Sequence, residues 1–405
     1  MNLPYFISNR IHKASSRSFS AVIHNIAVAS IGLGLAVMIV SFLILRGFQQ
    51  TITDKVVSFS GHLQVTRYSF GNMYAENPIS TNFDFYQQPE NYPLLEHVQP
   101  VAYKPGLLKT QDEVLGVLLK GVDERYHWER FRPNMLEGSI PASSDTAPST
   151  EVIISQNIAD QLRLSVGQDV IMYFVQNPPR FRRLTVAGIY STGMEDFDQS
   201  LIMGDIRLVR QLNNWTDTLA GGFEVFLKDF NTLDQAQEEL FELTNWGYFV
   251  EKVTDRNIQI FEWLNLLNKN VVIFLGLILF VACFNMVSIL LILIMERTPM
   301  IGTLMALGAT HGQLRRIFIT NGMLLVLKGM LWGNIIALGF GVIQQQFKLI
   351  PLDKENYYMD TVPILWDWPM IIGLNLLIFV LVMLILLIPS AIISRIQPIK
   401  AIKFD

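Results

Sequence analysis

The chain is 405 residues long, 51% hydrophobic and only 16% charged, with a formal net charge of −4 at pH 7. It is more apolar than an ordinary soluble chain, and its charge is wrong for a nucleic-acid binder. A single cysteine, Cys283, excludes a disulfide framework.

In chain order, residues 1–20 mix aromatic, apolar and basic residues, "NLPYFISNRIHKASSRSFS". They read as an amphipathic cytoplasmic segment lying in the membrane interface. Residues 21–45 form the first of four long apolar blocks, the others being 271–295, 317–344 and 370–390. At about 1.5 Å per helical residue, each is long enough to cross a hydrocarbon core of roughly 30 Å. The first block runs too long for a secretory signal, and "RGFQQ" after it is no cleavage site, so it reads as a retained anchor.

Residues 46–265 carry 18 Lys plus Arg against 29 Asp plus Glu, a net charge of −11. The short segments elsewhere are basic: Arg10, Lys13 and Arg17; Arg297, Arg315 and Arg316; Arg395, Lys400 and Lys403. The positive-inside rule puts these three in the cytoplasm and the acidic insert outside. The insert reads as mixed α/β. Its strands are "HLQVTRY", "VLGVLLKGV", "VIMYFV", "RLTVAGIY" and "FEVFL". Its helices are "SQNIADQLRL", capped by Ser155, and "TLDQAQEELFELT", capped by Asn231 or Thr232. "PASSDTAPST" reads as a surface loop, and "QNPPRF" as a protruding tip between two strands. "NIQIFEWLNLLNKN" is amphipathic and runs directly into the second span, giving a helix able to carry movement.

The predicted boundaries are therefore 21–45, 266–295, 317–344 and 369–393 for the spans. Residues 46–265 form the outer domain, 296–316 a cytoplasmic connector, 345–368 a short outer loop and 394–405 a tail. In span three, Gly329 and Gly333 share a face suited to close helix approach, and Ser30 and Gly34 do so in span one. Intramolecular packing is the favoured reading for span three; span one is balanced between that and a subunit contact. Trp366 and Trp368 suit the membrane interface.

No phosphate-cradling G-x-x-x-x-G-K-[ST], no G-x-S-x-G elbow and no histidine pair at metal-binding spacing occurs. The chain therefore reads as a non-enzyme that binds no cofactor of its own. Glu195, Asp196 and Asp198 read as a solvated turn, with a cation site as the alternative, and Lys328 as a lysine snorkelling from the third span or lifted to the inner boundary, with an ion-relay role as the alternative. The connector has an apolar set, Met300, Ile301, Leu304, Met305 and Leu307, bracketed by Glu296, Arg297, Arg315 and Arg316. It suits a groove in a cytosolic partner, the alternative being a helix that lies flat on the inner leaflet.

The run "MERTPMIGTLMALGA" ahead of a glycine-rich span resembles the FtsX-like permease module of ABC transporters. The start "FSAVIHNIAVASIGLGLAVMIVSFLILRGF", the "GHLQV" strand and the end "IPSAIISRIQPIKAIKF" resemble the LolC/LolE lipoprotein-release permeases, across essentially the whole chain. The resemblance implies a polytopic α-helical membrane protein with four transmembrane helices. A large mixed α/β extracytoplasmic domain of the MacB core type lies between the first two, the type VII ABC permease architecture. It implies an inner-membrane location with both termini cytoplasmic.

The implied partners are two copies of a LolD-like ATPase carrying ATP-Mg, a second permease in a hetero- or homodimer, lipoprotein substrates, membrane lipids and a LolA-like periplasmic carrier. Nucleic acid is not among them. Carried over residue by residue, ATPase coupling falls on Glu296, Arg297, Met300, Ile301, Gly302, Leu304, Ala306, Leu307, Gly308, Ala309 and Thr310. A carrier-binding hook falls on Asn177, Pro178, Pro179, Arg180 and Phe181, and substrate-cavity or packing roles on Ser30, Gly34, Phe284, Ser288 and Leu291. The alternatives are a MacB-like efflux permease and an FtsX-like transmitter that activates a cell-wall hydrolase.

Overall fold

The computed structural model describes residues 19–68, 77–141, 148–244, 247–353 and 357–392. The amphipathic segment expected before residue 19, the tail from 394 and most of the "PASSDTAPST" loop lie outside the described residues. Two bodies are distinguished: Thr51–Glu262 with Leu352–Asp360, and Met1–Gln50, Trp263–Pro351 and Thr361–Asp405.

Among the described residues, four helices are long and apolar enough to cross a membrane. They are α1 (Phe19–Ser60), α5 (Ile258–Glu296), α7 (His311–Phe347) and α8 (Trp368–Ile392). α1 extends well past the apolar block, and α5 joins the amphipathic and apolar stretches into one helix, as the sequence pattern predicts. In the membrane body, α1 crosses α7 at glycines. A Cβ on Gly333 would stand 2.7 Å from the Gly32 oxygen, and one on Gly329 2.8 Å from the Ile31 Cβ. Without side chains at these positions the backbones approach closely, which supplies van der Waals packing where lipid gives no hydrophobic drive. Amides supply the rest. Asn285 on α5 donates to the Ser30 hydroxyl at 3.0 Å. Asn334 on α7 and Asn375 on α8 exchange two hydrogen bonds, at 2.7 and 3.0 Å.

The other body is a ten-stranded sheet with a separate two-stranded ribbon. The strands are β1 (Leu63–Arg67), β2 (Ile79–Ser80), β3 (Leu95–Lys109), β4 (Val114–Val122), β5 (Met135–Gly138) and β6 (Glu151–Ser155). They continue as β7 (Asp169–Phe174), β8 (Arg180–Tyr190), β9 (Leu201–Asp205), β10 (Leu219–Ala220), β11 (Gly222–Leu227) and β12 (Tyr248–Lys252). The sheet order is β12-β1-β11-β3-β4-β9-β6-β8-β5, with β7 pairing β3 and β8. Pairing is antiparallel except for β4 with β9 and β6 with β8. Helices α2 (Gln156–Leu162), α3 (Ile206–Asn213) and α4 (Leu233–Thr244) complete the body.

Alternation along the strands builds two cores. Val117 and Leu119 of β4, Val152 and Ile154 of β6, and Phe223 and Val225 of β11 enter the larger one, with residues of α2, α3 and α4. Val122, Ile153 and Met203 face the other way, into a smaller aromatic core around Phe59, Phe131 and Tyr190.

Ser155 caps α2 as predicted, its hydroxyl accepting from the Ile158 amide at 3.1 Å. The cap expected at Asn231 or Thr232 sits earlier. Asp229 accepts from the Asn231 amide and opens a 3-10 turn, Phe230–Thr232, that runs into α4. The acidic turn is solvated only in part: Glu195 is exposed. Asp198 is buried, and its carboxylate accepts from the Thr192 and Gly193 amides and the Thr192 hydroxyl. An aspartate with several nearby donors is a better turn anchor than a surface charge.

Candidate functional site

The connector is α6 (Thr298–Ala306), with Pro299 in its first turn, where a missing N–H costs nothing. It stops by a Schellman arrangement. Ala309 donates to the Leu304 carbonyl at 2.9 Å and Gly308 to that of Met305 at 3.0 Å, with Gly308 at φ +96°. Thr310 then caps α7. Its hydroxyl accepts from the Gln313 amide at 3.3 Å, and the Gln313 side chain returns to the Thr310 amide at 3.0 Å. "LGATHGQ" is thus a stop and a start placed back to back, and the connector satisfies these end groups internally.

The apolar connector residues do not share one outward face. Ile301 is fully buried with Ile294, Leu314, Ile317 and Phe318, and Leu304 and Met305 pack half-buried against that cluster. Gly302 is buried too, while Met300, Arg297 and Ala309 are half-buried. The surface is left to Glu296, Pro299, Thr303, Ala306, Leu307, Gly308 and Thr310, with Arg315 and Arg316 on the next turns. Leu307 stands out at 84% exposed. The expected apolar face of Met300, Ile301, Leu304, Met305 and Leu307 is thus divided: Ile301, Leu304 and Met305 hold the connector against the two span ends, and Leu307 is its apolar projection.

The hook candidate is the β7–β8 turn. Asn177, Pro178, Pro179 and Phe181 are exposed, Phe181 at 63%, and its ring lies 6.0 Å from that of Tyr173. The turn is not free. Arg180 donates to the Gln211 and Leu212 carbonyls at 2.9 and 3.1 Å, and Gln176 donates to Leu212 at 3.3 Å. A cation on the last carbonyls of α3 is the favoured arrangement at a helix C-terminus. The expected protruding tip is thus a turn strapped to a helix end.

Of the cavity or packing candidates, Ser30 and Gly34 face α5, through Asn285 and Ile278. Phe284 points away at 65% exposed, and Ser288 and Leu291 are half-buried. Lys328 is exposed on α7.

Sequence reading passed over a charged network in the outer domain. Lys120 and Glu224 are fully buried, with Nζ 2.7 and 2.8 Å from the two carboxylate oxygens. Gln99 and Tyr103 add donors to Glu224 at 2.8 and 2.9 Å. Burial pushes the lysine pKa down and the glutamate beside it pulls it back up. Lys120 interrupts an apolar strand pattern, the one signal visible in the sequence. Nearby, His62 accepts from the Leu227 amide at 3.0 Å, and burial holds its pKa at about 4.

Comparison with known proteins follows this division of the chain. Residues 26–243 match the MacB-like periplasmic core domain, and residues 272–398 match the FtsX-like permease C-terminal region. The transmembrane protein LolC of the lipoprotein-releasing system of Xylella fastidiosa is 23% identical, with 98% of each chain covered. LolE from Haemophilus influenzae is 22% identical over 99% of each. The periplasmic region of MacB from Actinobacillus actinomycetemcomitans is 14% identical, covering 49% of this chain and 91% of that one, with a TM-score of 0.35. The chain belongs to the family of ABC-transporter permeases built on a MacB-like periplasmic core domain, here joined to an FtsX-like permease C-terminal region, and it is similar to LolC and LolE over nearly its whole length.

Proposed function

We propose that this chain is the permease subunit of an ABC transporter that extracts lipoproteins from the outer leaflet of the inner membrane and hands them to a periplasmic carrier. A separate LolD-like ATPase, present in two copies with ATP-Mg, docks on the connector at residues 296–316. A second permease subunit, identical or related, completes the unit. Both termini and the connector face the cytoplasm, and the acidic domain faces the periplasm. The observation that carries this reading is the connector: a short helix closed by a Schellman stop, packed against the ends of two spans, offering Leu307 to a partner. Similarity to LolC and LolE over nearly the whole chain supports the substrate class.

In this arrangement, the Ser30 and Gly34 faces and the exposed Phe284 border the space between subunits where acyl chains enter. The Asn177–Phe181 turn presents aromatic surface to the carrier. The test is a mild-detergent pull-down of the full chain with mass spectrometry, lipid-modified peptides included. An ATPase with acylated lipoproteins is the expected recovery. An ATPase with an outer-membrane channel or a cell-wall hydrolase, and no lipoproteins, refutes extraction in favour of efflux or signalling.

A further inference from the structure

The last turn of α1 is held by an arrangement that the need for a stable core does not explain. Phe59 is buried, its ring centroid 5.4 Å from those of Phe131 and Phe197 and 5.9 Å from that of Tyr190. Its carbonyl is one of the terminal groups that a helix leaves without an internal partner. Lys120 Nζ donates to that carbonyl, and the same ammonium is held by both oxygens of Glu224. Lys120 lies on β4, Gln99 and Tyr103 on β3, and Glu224 on β11. Three adjacent central strands therefore converge, through one buried charge network, on one backbone carbonyl at the end of the helix.

An apolar trio of similar volume would hold the three strands at least as firmly, because burying two charges costs more desolvation than their attraction readily returns. What methionine at 120 would lack is a directed bond to the helix end, with a cation at the negative pole of the helix dipole. The helix it grips contains no proline and runs unbroken from Phe19 to Ser60, about 63 Å at 1.5 Å per residue.

We propose that Lys120, oriented by Glu224, is a positioning residue that locks the end of α1 to the central strands, so that displacement of the helix moves the sheet instead of slipping past it. The partner and cargo in this scheme rest on the permease reading; the lock itself does not.

The test uses the full chain, reconstituted with its partner ATPase in liposomes holding an acylated lipoprotein. The variant Lys120→Met/Glu224→Gln removes the bond to Phe59 without stranding a charge. Lipoprotein released per ATP hydrolysed is expected to fall at least tenfold, with ATPase association unchanged. In a Cys283→Ser background, spin labels at Asp54→Cys and Glu129→Cys report the helix-to-domain distance. It is expected to be narrow with the lock intact and broadened without it.

A folded double variant with a narrow distance and unchanged release per ATP overturns the proposal. Hydrogen exchange on the unmodified protein covers the case of a variant that does not fold. Residues 57–61 are expected to open together with the strands around Gln99, Lys120 and Glu224, and independent opening of the helix end overturns the lock. If the distance responds as stated but the unmodified complex releases no lipoprotein, the lock stands and the extraction reading fails.

Discussion

Replacing Leu307 tests whether the connector is a docking element. The side chain is 84% exposed, whereas Ile301 on the same helix is fully buried. Truncating Leu307 removes almost no packing from the isolated chain, so its melting temperature should stay within a degree or two. Seated in a partner groove, a leucine side chain contributes about 1.5–3 kcal/mol by removing apolar area from water. Leu307→Ala should therefore weaken ATPase binding roughly 10- to 150-fold. Leu307→Asp should abolish it, since a carboxylate would be buried without a partner. Ile301→Ala is the contrasting variant, expected to cost about 2–5 kcal/mol of stability through a cavity at the span ends. The assay is biolayer interferometry of the purified ATPase against the full chain in detergent, with melting curves on the same samples. Less than a twofold change in Kd for Leu307→Asp, with Ile301→Ala destabilising as stated, would show that the partner does not use this projection.

Asn334→Leu should destabilise the membrane body by about 1 kcal/mol, because it leaves the Asn375 side-chain oxygen without its donor, and Asn375→Leu in addition should restore most of that; detergent-unfolding curves decide. Asp198→Asn should lower stability by about 1.5–3 kcal/mol, since a charged acceptor of several donors is lost; a melt unchanged from the unmodified chain refutes the anchoring role. His62 has its pKa lowered to about 4, from 6.5, by burial and the nearby Arg130, against a smaller opposing pull from Glu96. Between these values the unfolded chain binds a proton that the folded chain refuses. Stability from His62 is therefore complete above pH 6.5 and falls by about 3 kcal/mol as pH drops to 4. Asp123, raised to about 6 chiefly by burial, has the opposite sign: its folded form holds a proton longer, so its share of stability falls as pH rises from 3.8 to 6. Asp123→Asn should thus raise the melting temperature at pH 7.5 and lose that advantage by pH 4, and a gain that persists there contradicts the assignment.

The spans were legible because twenty or more apolar residues in a row have few other structures open to them. The strands that alternate, "VIMYFV" and "RLTVAGIY", were legible for a related reason: period two survives in a half-buried sheet. β3 was not, because Pro100 and Pro105 lie inside it and proline donates no ladder bond, a mark against a central strand. The facing of the connector was hidden in another way. A nine-residue helix that is apolar nearly all round carries no periodic signal to separate Ile301 from Leu307. The Lys120–Glu224 pair joins residues 104 positions apart, on strands separated by β3. A lone lysine in a strand reads as a solvent-facing position until the partner strand is known. Arg180 reads as surface charge for the same reason, since the α3 carbonyls it holds come about thirty residues later.

The strand that follows α1 and the strand that precedes α5 are neighbours: β1 pairs with β12, Leu63 opposite Lys252. For a chain made from its N-terminus, this edge of the sheet stays unfinished until residue 252 has emerged, about 190 residues after its partner strand. Closing so long a loop costs little more than closing one half its length, roughly 0.6 kcal/mol. The burden is therefore one of time more than of free energy. β1 waits with both backbone edges unpaired until β11 is made, and with one until β12 arrives, and these edges are where a chaperone, or a stray strand from another chain, has its opportunity.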